Sequence, residues 1–146
     1  MIVIGTTITE TIAMNDHQTA VAQACLEAAE SNTMTFPQIV GTLMDAGFEG
    51  YAIDFRRATA TYYLAAGDSI ELPAHDVDAV VAPTFDLALM QTAIREAQQL
   101  VAGYTYKGFC KKAVSAGCAG YIVSFSGRRA LYIGRTAETH VEHFPN

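Results

Sequence analysis

The stretch Ala116-Gly117-Cys118-Ala119-Gly120-Tyr121-Ile122-Val123-Ser124-Phe125 decides the reading, because Ala46-Gly47-Phe48-Glu49-Gly50-Tyr51-Ala52-Ile53-Asp54-Phe55 matches it at an offset of 70 residues. Gly47 and Gly117 each stand where a helix ends in a left-handed residue. Beyond them the pattern alternates, with Tyr51, Ile53 and Phe55, and again Tyr121, Val123 and Phe125, on one face of a half-buried strand. The chain reads as one unit written twice.

Upstream of the first copy, Thr35-Phe36-Pro37-Gln38 has the form of a capping box, and Phe36, Ile39, Val40, Leu43 and Met44 make a helical stripe. Seventy residues on, Thr105 repeats the cap and Tyr106, Phe109, Cys110, Ala113 and Val114 repeat the stripe. Each of these helices has a predecessor. Asn15-Asp16 open the first, with Val21, Ala24, Cys25 and Ala28 on one face and an end near Glu30; Thr84 caps the third, with Leu87, Met90, Ile94, Ala97 and Val101, and Gly103 ends it.

Downstream, short strands follow at Thr61–Leu64 and Ser69–Leu72, the latter stopped by Pro73, then at Ala130–Ile133 and Thr139–Phe144, stopped by Pro145. The predicted class is α+β, a tandem pseudo-symmetric repeat of αα-βββ units with the helices packed on antiparallel sheet. Residues 14–73 and 84–145 are the two repeats of one domain spanning 14–146. Residues 1–13, rich in β-branched side chains at Ile2-Val3-Ile4, read as an N-terminal strand or arm. The groove along the pseudo-twofold axis is the first place to expect a site.

Composition narrows the partners. The 146 residues are 51% hydrophobic and 16% charged, with a formal charge of -6, so a compact globule is expected and phosphate-backbone binding, which needs clustered Lys and Arg, is disfavoured. No apolar run approaches the ~20 residues that span a bilayer. Neither nucleic acid nor membrane is therefore an expected partner, and no secretory n-region is present. Cys25, Cys110 and Cys118 form no CxxC pair; Cys25 and Cys110 fall on core faces, as free thiols do in a reducing, cytoplasmic setting.

Differences between the copies point to chemistry, because residues the fold needs should recur. The second copy alone carries a dense group: Arg128, Arg129, Arg135, Tyr132, His140, Glu142 and His143. Guanidinium forks at Arg128, Arg129 and Arg135 suit a carboxylate or phosphate, although Arg56-Arg57 at the corresponding first-copy turn fit a structural role equally. On a strand, His140 and Glu142 share a face and His143 takes the other, so this is no helical zinc pair; a metal would need Glu138 or His75 as well. No metal or cofactor is expected. Neither a Gly-x-Ser-x-Gly frame nor a phosphate-binding glycine loop occurs.

From Ala116 through Tyr121-Ile122-Val123, then Ser126-Gly127-Arg128-Arg129-Ala130-Leu131-Tyr132-Ile133-Gly134-Arg135 and on to His140-Val141-Glu142-His143-Phe144-Pro145, the chain resembles a family of small bacterial proteins of unknown function. Some members carry the label phage envelope protein. The resemblance also takes in Phe36-Pro37 and Ala46–Tyr51, and it implies no activity, cofactor or catalytic residue.

The reading that results is a binding or interaction domain of unknown function with an anion-binding face on the second repeat. Its partner would be a small anionic ligand, a protein or a second copy in a homodimer. One alternative is a small enzyme holding an anionic substrate with the arginines and using His140 or His143 as acid or base. Another is a phage-related structural or host-interaction protein.

Overall fold

The computed structural model describes residues 14–145; the strand or arm expected at 1–13 lies outside the described residues. Among them, four helices and six strands follow in the order α1 (Asp16–Ser31), α2 (Phe36–Asp45), β1 (Phe48–Asp54), β2 (Thr59–Leu64), β3 (Ser69–Pro73), α3 (Leu87–Gln99), α4 (Tyr106–Ser115), β4 (Cys118–Ser124), β5 (Arg129–Gly134) and β6 (Thr139–His143). The six strands make one antiparallel sheet in the order β3-β2-β1-β4-β5-β6. The class is α+β with helices packed on antiparallel sheet, and no described helix is long and apolar enough to cross a membrane.

The caps follow from local chemistry. Thr35 accepts the amide of Gln38 while the Gln38 side chain accepts the amide of Thr35, and Asn15 and Gln18 do the same for α1. Thr105 caps α4 through the amide of Gly108. The expected cap at Thr84 is corrected: Asp86 holds that position, its carboxylate accepting the Leu89 amide, because its own amide is drawn 2.7 Å from the Ala116 carbonyl. The far end of α3 is also corrected, from Gly103 to Leu100, which takes the left-handed conformation at φ 47°.

Three predicted helical faces shift. In α1 the buried residues are Ala22, Cys25, Leu26 and Ala28, with Ala24 exposed. An alanine-rich helix gives little apolar contrast with which to set the phase of its stripe. Phe36, Met44, Leu87 and Val101, all read as core, are substantially exposed.

The seam between β1 and β4 carries a glycine on each strand. Gly50 lies opposite Ser124 and Asp54 opposite Gly120. A Cβ on Gly50 would sit 2.3 Å from the Val123 carbonyl oxygen, and one on Gly120 2.4 Å from that of Ile53, so only glycine fits either place. The second glycine of each quoted stretch is thus a seam residue, not simply a strand start. Beneath the helices, one buried cluster draws on both halves, from Ala22 and Leu43 to Val114 and Tyr132.

Candidate functional site

Four tyrosines occupy the inner face of the four central strands. Tyr51 lies directly across from Tyr62, and Tyr121 across from Tyr132, with ring centroids 5.4 Å and 5.3 Å apart and the planes tilted by 32° and 38°. Tyr51 and Tyr121 meet edge to face across the seam at 6.3 Å. Strand alternation dictates the placement: residues at every second position of each central strand must turn toward the helices.

Between this face and the helices lies a cavity of about 590 Å³, lined by the four tyrosines with Cys25 and Phe109 among others. Its exposed lining residues come from the α1–α2 connection (Asn32–Gln38), the end of α3 (Gln98, Leu100) and the end of β6, which places the mouth there. Interiors rarely keep voids much larger than a water molecule. A space of this size falls within the ~300–1,000 Å³ usual for small-molecule sites.

Burial raises the phenols of Tyr51, Tyr62, Tyr121 and Tyr132 above the ordinary tyrosine range, so each stays protonated and neutral. Tyr121 Oη lies 2.7 Å from Tyr106 Oη. Among the described residues no protein group is hydrogen-bonded to the hydroxyls of Tyr62 or Tyr132, which leaves both for a ligand. Burial likewise pushes Cys110 up to about 12 and Cys118 to about 11, and raises Cys25, so the three free thiols are poor nucleophiles.

The structure divides the residues singled out in the sequence. Tyr132, Glu142 and His143 line the cavity, whereas Arg128, Arg129, Arg135 and His140 do not. His140 and Glu142 do share the inner face, His140 opposite Tyr132 and Glu142 opposite Ala130. There His140 Nε2 sits 3.1 Å from one Glu142 oxygen, and the Gln98 amide donates to the other at 3.3 Å. The first half has Ile70 and Leu72 at the matching places.

The arginines are not brought together. Arg129 and Arg135 flank opposite ends of β5, roughly 20 Å apart at ~3.3 Å per residue, too far to grip one small anion. Arg135 donates to the Val81 carbonyl at 2.8 Å; Arg129 donates to its neighbour Gly127; Arg128 donates to the Pro145 carbonyl, its guanidinium 5.7 Å from the Phe144 ring centroid. His75, weighed as a metal ligand beside His140, sits just past β3 at the opposite sheet edge, its Nδ1 3.1 Å from Glu30. No group of three His, Cys, Asp or Glu side chains able to hold a metal occurs among the described residues.

Of the four tyrosines only Tyr132 is a site candidate from the sequence; Tyr51, Tyr62 and Tyr121 are cavity residues it misses. The available signal was the quartet itself, two tyrosines on the inner face of each half, next to a third strand that turns polar in one half alone.

Residues 23–142 match a family described as protein of unknown function (DUF1398). No curated protein matches the chain.

Proposed function

The chain belongs to that family, DUF1398, whose function is undescribed, and we propose that this protein binds a small, largely apolar molecule in the cavity between its helices and the tyrosine face. The observation that carries the reading is a 590 Å³ space between the helices and the sheet, walled by aromatic rings and carrying phenols that have no hydrogen-bond partner among the described residues. Binding rather than catalysis is favoured because the lining thiol of Cys25 and the lining phenols are held in their protonated forms by burial. The free, buried cysteines support a reducing, cytoplasmic setting. The spread of the arginines gives the anion-binding face little support.

We also infer that the halves are copies of one αα-βββ unit, related by a pseudo-twofold axis through the β1–β4 seam, and that residues 14–146 form one domain. Support comes from features that recur 70 residues apart. Register shifts fall between Phe48 and Gly50 and between Cys118 and Gly120; left-handed residues fall at Ala58 and Arg128; the amide of Ala74 meets the Ala58 carbonyl as that of Phe144 meets Arg128's.

The test uses a neutral apolar dye, N-phenyl-1-naphthylamine, titrated into the protein and into Ala97→Trp, which places a large ring in the cavity wall. Saturable dye binding that disappears in the variant, with the melting temperature kept or raised, is the expected result. Equal binding by both proteins, or none by the native one, sinks the reading.

A further inference from the structure

We infer that the cavity selects a cationic ligand, an apolar amine or quaternary ammonium, over a neutral or anionic molecule of the same skeleton; this rests on the cavity being the binding site. Glu142 is the one Asp or Glu among the lining residues, and neither Lys nor Arg lines the cavity. Glu142 is one-third exposed and sits at the mouth, fixed by His140 on one oxygen and Gln98 on the other. Those two partners orient the carboxylate without supplying a permanent positive charge.

Behind Glu142 stand rings whose π faces are electron-rich, and a cation over such a face is attracted by the ring quadrupole. Because burial keeps the phenols of the quartet neutral, they offer π faces and hydrogen bonds rather than competing negative charge. Tyr132 joins the two features, lying directly opposite His140 in the sheet and lining the same cavity as Glu142. A carboxylate or phosphate would lose its hydration and meet Glu142 with no Lys or Arg among the lining residues, Arg128 at the rim being engaged by the Phe144 ring and the Pro145 carbonyl, a cost that neutral phenol donors offset only in part. The opposite sign of ligand charge meets attraction at both the rings and the carboxylate.

Glu142 and His140 replace Leu72 and Ile70 of the first half, so the charge at the mouth is an addition to the repeated framework and not one of its requirements.

The experiment measures calorimetric affinity at pH 8, where an ordinary histidine is neutral. The ligands are two matched sets, 3-phenylpropylamine, 3-phenylpropan-1-ol and 3-phenylpropanoate, and the octyl amine, alcohol and carboxylate. The expected result is that each amine binds about tenfold more tightly than its alcohol, and the carboxylates bind least. Glu142→Gln should bring the amine down toward the alcohol while leaving the alcohol unchanged, and Glu142→Asp should restore much of the preference. Alcohols that bind as well as amines, or carboxylates that bind best, overturn the charge selection while leaving the cavity reading intact. If neither set binds at all, the cavity reading fails and takes this inference with it.

Discussion

Two corners of the molecule, 70 residues apart in sequence, are built on the same backbone plan and end up filled in one case and open in the other. In the filled corner Tyr106 at the start of α4 packs against His75, with centroids 6.1 Å apart, and lies nearly parallel to Phe109 at 6.3 Å. Its hydroxyl reaches Tyr121, and its amide donates to Asn32 Oδ1. Beside the unpartnered His75 Nε2 is a space of only about 10 Å³, roughly the room of one water, while Tyr106 and Phe109 also line the large cavity. In the open corner Phe36 at the start of α2 is 42% exposed and meets Phe144 edge-on at 5.4 Å. Where the filled corner has Glu30 and His75, the open one has the exposed residues Leu100 and Pro145. The two corners thus differ in the side chains they carry at matching positions.

The largest effect expected is one the halves share. Outside the fold a tyrosine loses its proton near pH 10, while in the fold Tyr51, Tyr62, Tyr106, Tyr121 and Tyr132 hold theirs to higher pH. Above pH 10 the unfolded chain therefore binds fewer protons than the folded one, so stability falls as pH rises, by up to ~1.4 kcal/mol per pH unit for each ring. In Tyr63→Phe, which removes the exposed ring, tyrosinate absorbance should appear together with unfolding in an alkaline titration. If it rises while the fold stays intact, the quartet is not sealed and the resemblance between the halves' inner faces is broken.

Next comes the pair of helix-ending glycines. Both have positive φ, +99° at Gly47 and +87° at Gly117, so alanine at either place costs about 1–2 kcal/mol for conformation. At Gly117 the added Cβ would also lie 2.2 Å from the Thr84 carbonyl oxygen, whereas at Gly47 it meets only the Gln18 side chain at 3.4 Å. Chemical denaturation should show Gly117→Ala costing more than about 3 kcal/mol in total. Equal costs would mean that the connection between β3 and α3 does not press on the end of α4.

The smallest effect sharpens the contrast of the corners. Tyr106→Phe strands the Tyr121 hydroxyl and should cost about 1–2 kcal/mol. The reciprocal Phe36→Tyr, on a half-exposed ring, should stay within about 0.5 kcal/mol. Thermal melts of both variants check this, and similar losses would show that the two corners are alike after all.

Much of the fold was legible because its signals are local. The Thr35 and Thr105 caps, the glycines after α2 and α4, and the alternation through Tyr51 and Tyr121 each rest on residues within a few positions of one another. What failed were choices with several local answers: Thr84 against Asp86 as a cap, Gly103 against Leu100 as a terminator, and the phase of the alanine-rich α1. Sequence comparison of the halves reached Glu142, His143 and Tyr132 because they depart from the repeat or sit in its core. It also gathered Arg128, Arg129 and Arg135, which neighbour them along the chain but point to other places. The cavity left no local mark, since its lining is gathered from residues far apart in the chain, from Cys25 to Pro145.

The β1–β4 seam also has a consequence in time. Gly50 pairs with Ser124 and Asp54 with Gly120, so on the ribosome the inner edge of β1 waits for about seventy more residues before its neighbour exists. At ~5–20 residues per second that is roughly 4–14 s. For those seconds the nascent chain carries a folded-length strand with an unpaired, glycine-notched edge, centred on a register that would accept another copy of itself.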